Sequence, residues 1–309
     1  MAMLMGQLQL QERFQGLIKG QALAEEPLAS HTYFRIGGPA EVMAFPADLE
    51  DLKVLLKAAR DEAIPVLILG GGSNMLVSDE GVRGLVINLS RTFLGLEVSG
   101  EQIRCGAGVR TSRLLALSAM KGLTGLEGLT GVPGTVGGAI KGNAGTALGA
   151  IADHLDWLCV VDRSGEEQIL TSEALGAGYR STALPAGSAI VDAGFTLRRG
   201  DPRTIKETVS RLLVRRNSTQ PVEVRSAGCI FKNPPDDYAG RLVERAGLKG
   251  LRRGGAQIAE KHGNFIVNLG GATAADVCWL IERVRAEVMA KTGVALELEI
   301  QIVGSPDAG

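Results

Sequence analysis

The placement of glycine constrains this chain more than any other feature. Of its 309 residues 42 are glycine, and they cluster. Glycine loses more backbone entropy on folding than any other residue, so clusters mark turns or places where the backbone closes on something. Gly70-Gly-Gly-Ser-Asn74 follows Pro65-Val-Leu-Ile-Leu69, an apolar run that suits a buried strand. Gly128-Leu-Thr-Gly-Val-Pro-Gly-Thr-Val-Gly-Gly138 continues to Gly142-Asn-Ala-Gly145, and Gly37-Gly38 ends Thr32-Tyr-Phe-Arg-Ile36. A flexible linker is richer in Ser and poorer in Val, Leu and Ile. Glycine-rich yet apolar backbone suits a flat ligand, and successive N–H groups converge on an anion where no side chain intervenes. No GK[ST] follows the first loop, and Met75-Leu-Val77 reads as extended rather than as a helix, so neither a Walker loop nor a Rossmann fingerprint is present. A tight turn accounts for any one loop. Three in one half of a chain point to a large cofactor with phosphates and an aromatic ring, and a dinucleotide fits best.

The rest of the chain reads as α+β, in three parts at 1–90, 91–200 and 201–309. In the first, Glu41–Phe45 is a strand, Asp48 caps a helix with Leu49, Leu52, Leu55 and Leu56 on one face, and Gly84–Asn88 is a further strand. In the second, Gln102–Cys105 is a strand and Thr111–Lys121 a helix ended by Gly122. Trp157–Asp162 and Gln168–Leu170 flank a hairpin turn at Arg163-Ser-Gly165. Ser172 is expected to cap a short helix leading to Tyr179-Arg180, and Ala189–Leu197 is a strand. In the third, Thr204–Arg216 is a helix and Asn264–Asn268 a strand. Thr273 with Asp276 forms a capping box on a helix that Gly293 ends. Leu296–Val303 then alternates, with Leu296, Leu298, Ile300 and Ile302 on one face and Glu297, Glu299 and Gln301 on the other.

Bulk properties exclude several classes. Lys plus Arg number 33 against 34 Asp plus Glu, a net charge of -1 that gives no general attraction to nucleic acid or an anionic membrane. No run approaches the ~20 apolar residues of a membrane span, and no signal peptide opens the chain, so a cytoplasmic protein is expected. Cys105, Cys159, Cys229 and Cys278 contain no CxxC, and His31, His154 and His262 no HxxxH, so no metal site is expected.

Six motifs in order resemble the UDP-N-acetylenolpyruvoylglucosamine reductase family, the flavoenzymes that complete UDP-N-acetylmuramate for peptidoglycan. They are Thr32–Gly38, Val66–Asn74, Gly131–Gly138, Gly178-Tyr-Arg-Ser181, Ser226-Ala-Gly-Cys-Ile-Phe-Lys-Asn-Pro234 and Leu296-Glu-Leu-Glu-Ile300. Direct passage from Leu197 to the Thr204 helix is similar to the family's shorter type, which lacks an extra substrate-covering loop. The resemblance implies a two-part FAD-binding domain of the vanillyl-alcohol oxidase/PCMH type plus a C-terminal α/β substrate domain. It implies non-covalent FAD, NADPH as co-substrate and a nucleotide-sugar substrate, in a monomer. The implied cofactor contacts are Arg35, Ile36 and Gly37; Gly70, Gly71, Gly72, Ser73, Asn74 and Met75; Gly131, Pro133, Gly134, Thr135, Gly137 and Gly138; Asn143, Ala144 and Gly145; and Ile190. Another flavoenzyme on the same scaffold, or a non-catalytic nucleotide-binding module, accounts for the glycine loops but leaves the next residues as coincidence.

Hydride addition beside a carboxylate builds negative charge, so the site needs cations and an acid. The resemblance gives Arg180 the carboxylate and Glu299 the polarising role, where residue chemistry alone leaves both at home on a solvated surface. Periodicity does not choose between Glu297 and Glu299; the motif favours Glu299. The family's better-known pattern has Ser as proton donor where this chain has Cys229, whose thiol, with an ordinary pKa of about 8.5, gives up a proton more readily than a hydroxyl. If Cys229–Asn233 is extended, Cys229, Phe231 and Asn233 share a face. Asn233, Lys232, Arg216 and Arg225 are the expected substrate contacts. Arg180 comes from the flavin-holding half and Cys229 and Glu299 from the last third, which points to a site between domains.

Overall fold

The structure, a computed structural model, describes residues 2–304, with side chains from residue 8 onward. Two compact units interleave in sequence. The first takes the chain up to Glu26, Glu41–Gly71 and Arg83–Val214; the second takes Pro27–Ala40, Gly72–Val82 and the chain from Arg215 on.

In the first unit a four-stranded sheet runs in the order Gln21–Pro27, Pro39–Phe45, Val82–Asn88, Val66–Leu69. Its last pair is parallel, Val66 opposite Leu85. Helices α1 (Ala2–Leu17) and α2 (Leu49–Asp61) accompany it. Asp48 starts α2 by accepting from the Asp51 amide, as expected. Leu52, Leu55, Leu56 and Ala59 are buried along one side of α2. Burial of each leucine contributes about 1.5–3 kcal/mol. A second, antiparallel sheet runs in the order Glu167–Thr171, Leu155–Val161, Ala189–Thr196, Gln102–Gly106, Leu96–Ser99. One of its faces meets the α2 core through Val161, Ala189 and Val191. The other packs on α3 (Thr111–Met120) and α4 (Val136–Lys141) through Ile103, Leu114, Leu158, Val136 and Ile140. The Arg163-Ser-Gly165 hairpin forms: Asp162 accepts from the amides of Ser164 and Glu166, and Gly165 has φ +82°.

The helix expected after Ser172 is absent. Residues 172–176 form turns, with the Leu175 amide donating to the Thr171 and Ser172 carbonyls. Gly176 at φ +52° and Gly178 two residues on break any helical continuation, while buried Leu175 anchors the turn.

The second unit holds an antiparallel sheet in the order Arg225–Cys229, Phe265–Asn268, Ala256–Ile258, Arg252–Arg253. Helices α6 (Ala239–Arg245) and α7 (Ala274–Thr292) bury Leu242, Val243, Val277, Leu280, Ile281 and Val284 in its core. The Thr273–Asp276 capping box and left-handed Gly293 bound α7 as expected. Helix α5 (Pro202–Thr219) runs past both expected ends. The expected terminal strand is regular only at Gln301–Val303, which pairs in parallel with Met75–Val77, but its face pattern holds: Leu296 and Ile300 are buried. No helix among the described residues is long and apolar enough to cross a membrane, and no group of three or more potential metal ligands occurs among them.

Candidate active site

Within the first unit, Gly70–Gly71 and Gly134–Thr135 of the two large glycine loops meet each other. A Cβ at Gly70 would stand 2.6 Å from Thr135 Oγ1, and one at Gly71 only 2.7 Å from the Gly134 Cα. A Cβ at Gly137 would stand 2.9 Å from that of Ala107. Glycine at these positions lets the 70–71 and 134–135 backbones touch, a need separate from any ligand. Gly131 and Gly134 add left-handed backbone, at φ +72° and +106°. Thr135 caps α4 through the Gly138 amide. Among the described residues, no backbone carbonyl accepts from the amides of Gly71, Gly134 or Thr135. Amides left without a backbone acceptor on touching glycine loops suit the pyrophosphate of a dinucleotide such as FAD. Ile190 lies buried in the neighbouring sheet strand.

The Gly178-Tyr-Arg-Ser181 motif is a tight turn. Gly178 and Ser181 exchange backbone hydrogen bonds of 3.0 and 3.3 Å, which puts Tyr179 and Arg180 at the tip. Arg180 has φ +56°, a conformation ordinarily left to glycine or asparagine. Two bonds hold it there. The Asn143 side-chain amide donates to the Gly178 carbonyl at 2.9 Å, and the Arg180 guanidinium donates to the Gly145 carbonyl at 2.9 Å. The predicted cofactor loop 143–145 is thus tied to the predicted catalytic arginine. Asn143 is itself left-handed, at φ +39°, and buried. The exposed Tyr179 ring lies 5.3 Å from the Arg180 guanidinium carbon.

The second unit brings Cys229 and Glu299 onto adjoining segments. Phe231 bridges Leu298, the Lys232 amide donates to the Glu297 carbonyl at 2.9 Å, and the Glu299 amide donates to the Ile230 carbonyl at 2.8 Å. The structure also separates the two glutamates. Glu297 is exposed and pairs with the Lys232 ammonium at 3.3 Å, whereas Glu299 is half-buried. The shared face expected for Cys229, Phe231 and Asn233 is not found. The strand ends at Cys229 and the chain bends at Ile230, which breaks the alternation, and Ile230 and Phe231 are both buried in the main core. Cys229 instead packs in a small cluster with Val224, Ala259, Phe265 and Val267. Asn233 is exposed and accepts from the Ala239 amide at 3.1 Å, at the start of α6.

Arg216 lies half-buried near the end of α5. Burial pushes its guanidinium pKa down, and the nearby Cys229 sulfur acts the other way. Arg225 is exposed on the strand that ends at Cys229. By contrast Cys105 is sealed in the sheet core, where burial pushes its thiol up to about 12. Of the remaining expected cofactor positions, Arg35 is left-handed at φ +56°, with its carbonyl and that of Phe34 accepting from the Asn268 amide. Ile36 is buried, and a Cβ at Gly37 would stand 2.5 Å from that of Val77. Gly72 at φ +62° accepts from the Tyr33 amide at 3.0 Å; Ser73 follows half-buried, and Met75 is buried.

A family model for an FAD binding domain matches residues 40–171, and one for the C-terminal domain of UDP-N-acetylenolpyruvoylglucosamine reductase matches residues 220–303. Fold and site together define a flavoprotein: an FAD-binding domain, built on two sheets, followed by a C-terminal α/β domain. The UDP-N-acetylenolpyruvoylglucosamine reductase of Syntrophobacter fumaroxidans is 47% identical over 91% of this chain and 83% of its own length. A second such reductase, from Symbiobacterium thermophilum, is 46% identical over 95% and 96%. The crystal structure of the Thermus caldophilus reductase, 39% identical, superposes with a TM-score of 0.80 over 93% of this chain and 99% of that one. The chain belongs to the UDP-N-acetylenolpyruvoylglucosamine reductase family and is an FAD-dependent oxidoreductase.

Proposed function

We propose that this protein reduces the enolpyruvyl group of UDP-N-acetylglucosamine enolpyruvate to give UDP-N-acetylmuramate, with NADPH as the electron source, working as a monomer on a small-molecule substrate. The carrying observation is the antiparallel register that sets Cys229 and half-buried Glu299 on adjoining segments of a family member. The Gly70–Gly71 and 131–138 backbones would hold FAD, which would supply hydride chemistry driven by NADPH.

Hydride addition to the terminal alkene carbon leaves an electron pair on the carbon beside the carboxylate. Arg180 holds that carboxylate; its charge persists at any working pH, and its planar fork matches two carboxylate oxygens. Glu299 polarises the enolate-like intermediate. Cys229 delivers the proton that completes the saturated carbon, and solvent reprotonates the sulfur. The neighbouring Arg216 cation favours the thiolate left behind. Arg216, Arg225, Lys232 and Asn233 are the proposed contacts to the nucleotide sugar.

The test is anaerobic stopped flow. Enzyme reduced by NADPH is mixed with UDP-N-acetylglucosamine enolpyruvate, and rapid substrate-dependent flavin reoxidation with formation of UDP-N-acetylmuramate is expected. Reduced flavin that persists at saturating substrate would falsify the assignment.

A further inference from the structure

Asn74 closes the first glycine loop and is expected to contact the cofactor, yet its amide is engaged elsewhere. Asn74 Nδ2 donates to the Glu299 carbonyl at 2.9 Å, across 225 residues of sequence. The Asn74 carbonyl accepts from the Gln301 amide at 3.0 Å, and the following residues pair in parallel, Met75 opposite Gln301. On the other side of the same residue, the Glu299 amide donates to the Ile230 carbonyl at 2.8 Å. Glu299 is therefore gripped by its N–H from the Cys229 segment and by its C=O from the glycine loop. Hydrogen bonds at both neighbouring peptides limit backbone rotation, and with it the line along which the carboxyl group leaves the chain.

We propose that Asn74 is a positioning residue for Glu299: its side-chain amide fixes the Glu299 backbone and so aims the carboxyl at the reacting carbon. This inference rests on the role given to Glu299 above. A shift of about 1 Å in a reacting group can change a rate on the order of a hundredfold, so one hydrogen bond to the backbone that carries it is enough to matter. The Asn74→Ala variant keeps the fold, because the Gln301 amide and the Met75–Val77 ladder bond to backbone rather than to the Asn74 side chain.

The experiment compares Asn74→Ala, Glu299→Gln and the double variant as FAD-loaded enzymes, with flavin reduction by NADPH and flavin reoxidation by UDP-N-acetylglucosamine enolpyruvate measured separately. For Asn74→Ala, reoxidation is expected to slow by about tenfold more than reduction does. In the Glu299→Gln background the same change is expected to have no further effect on reoxidation, since residues acting as one unit are not additive. An additive double variant overturns the proposal, as does equal slowing of both half-reactions, which marks Asn74 as a cofactor contact only. If Glu299→Gln alone leaves reoxidation intact, the role of Glu299 itself fails, and that failure is read independently of Asn74.

Discussion

At the scale of single residues the structure distinguishes two glutamates that periodicity treats alike. Glu297 and Glu299 lie on one face of an alternating segment, but Glu297 is committed to an exposed ion pair with Lys232 and Glu299 is half-buried beside the Cys229 segment. Glu299→Gln is therefore expected to slow turnover on the order of a hundredfold, as loss of a group that stabilises developing charge does. Glu297→Gln removes a surface pair worth about 0–1 kcal/mol and should leave both kcat and stability nearly unchanged. Equal and small effects on kcat would show that the strand carries neither role. Cys229→Ala is expected to slow flavin reoxidation by substrate about a hundredfold or more while flavin reduction by NADPH proceeds, and Cys229→Ser should restore much of the rate, because a hydroxyl also carries a transferable proton. Unchanged reoxidation in Cys229→Ala removes this thiol from the mechanism. The residue types were legible from the motifs. The left-handed Arg180 was not, because nothing in its type announces a positive φ; the two bonds from Asn143 and to Gly145 impose it from a loop 35 residues away.

At the scale of elements, local signals read well wherever one contiguous segment decides the outcome. The Asp48 cap, the hairpin at Arg163-Ser-Gly165 and the Thr273–Asp276 box all formed where side-chain chemistry and spacing put them. Two readings failed because tertiary packing decided them. Buried Leu175 and the glycines after it replace the helix expected at Ser172, and a bend at Ile230 cancels strict alternation after Cys229 so that Ile230 and Phe231 both enter the core. The glycine loops fall between these cases. Their clustering was plain, but not that the loops touch each other. Gly71→Ala tests this contact. Its Cβ would lie 2.7 Å from the Gly134 Cα, a backbone atom that cannot rotate away. The two loops must part, at a cost of about 1–3 kcal/mol, and FAD retention should fall. The check is flavin absorbance per protein after gel filtration; full retention would mean that the loops separate without disturbing the cradle.

At the scale of the whole molecule, the chain gives two short segments, Pro27–Ala40 and Gly72–Val82, to the unit formed mainly by its last third. Sequence order hides this, since the strongest local signals place both segments among their neighbours in the first part. Asp79 shows the physical tie: its carboxylate oxygens accept from the Ala274 and Ala275 amides at 2.7 and 3.0 Å, closing the start of α7. Asp79→Ala should therefore destabilise the second unit by about 1 kcal/mol, seen as a lower urea midpoint; an unchanged midpoint would mean that Thr273 alone suffices. The same unit carries a pH signature. His262 accepts at Nδ1 from the Asn264 amide and meets Phe265 edge-on at 4.9 Å, and burial lowers its pKa below the ordinary 6.5. The unfolded chain then binds the proton more readily than the folded one. Stability is complete above the unfolded value and falls as pH drops through it to the lower folded value. The carboxylates whose pKa values are lowered, Asp162 and Asp237 among them, act only in the more acidic carboxylate range, so the two windows separate. Urea midpoints measured from pH 7.5 to about 5 should decline for the parent chain and stay flatter for His262→Gln. An equal decline in both would assign the slope to other groups.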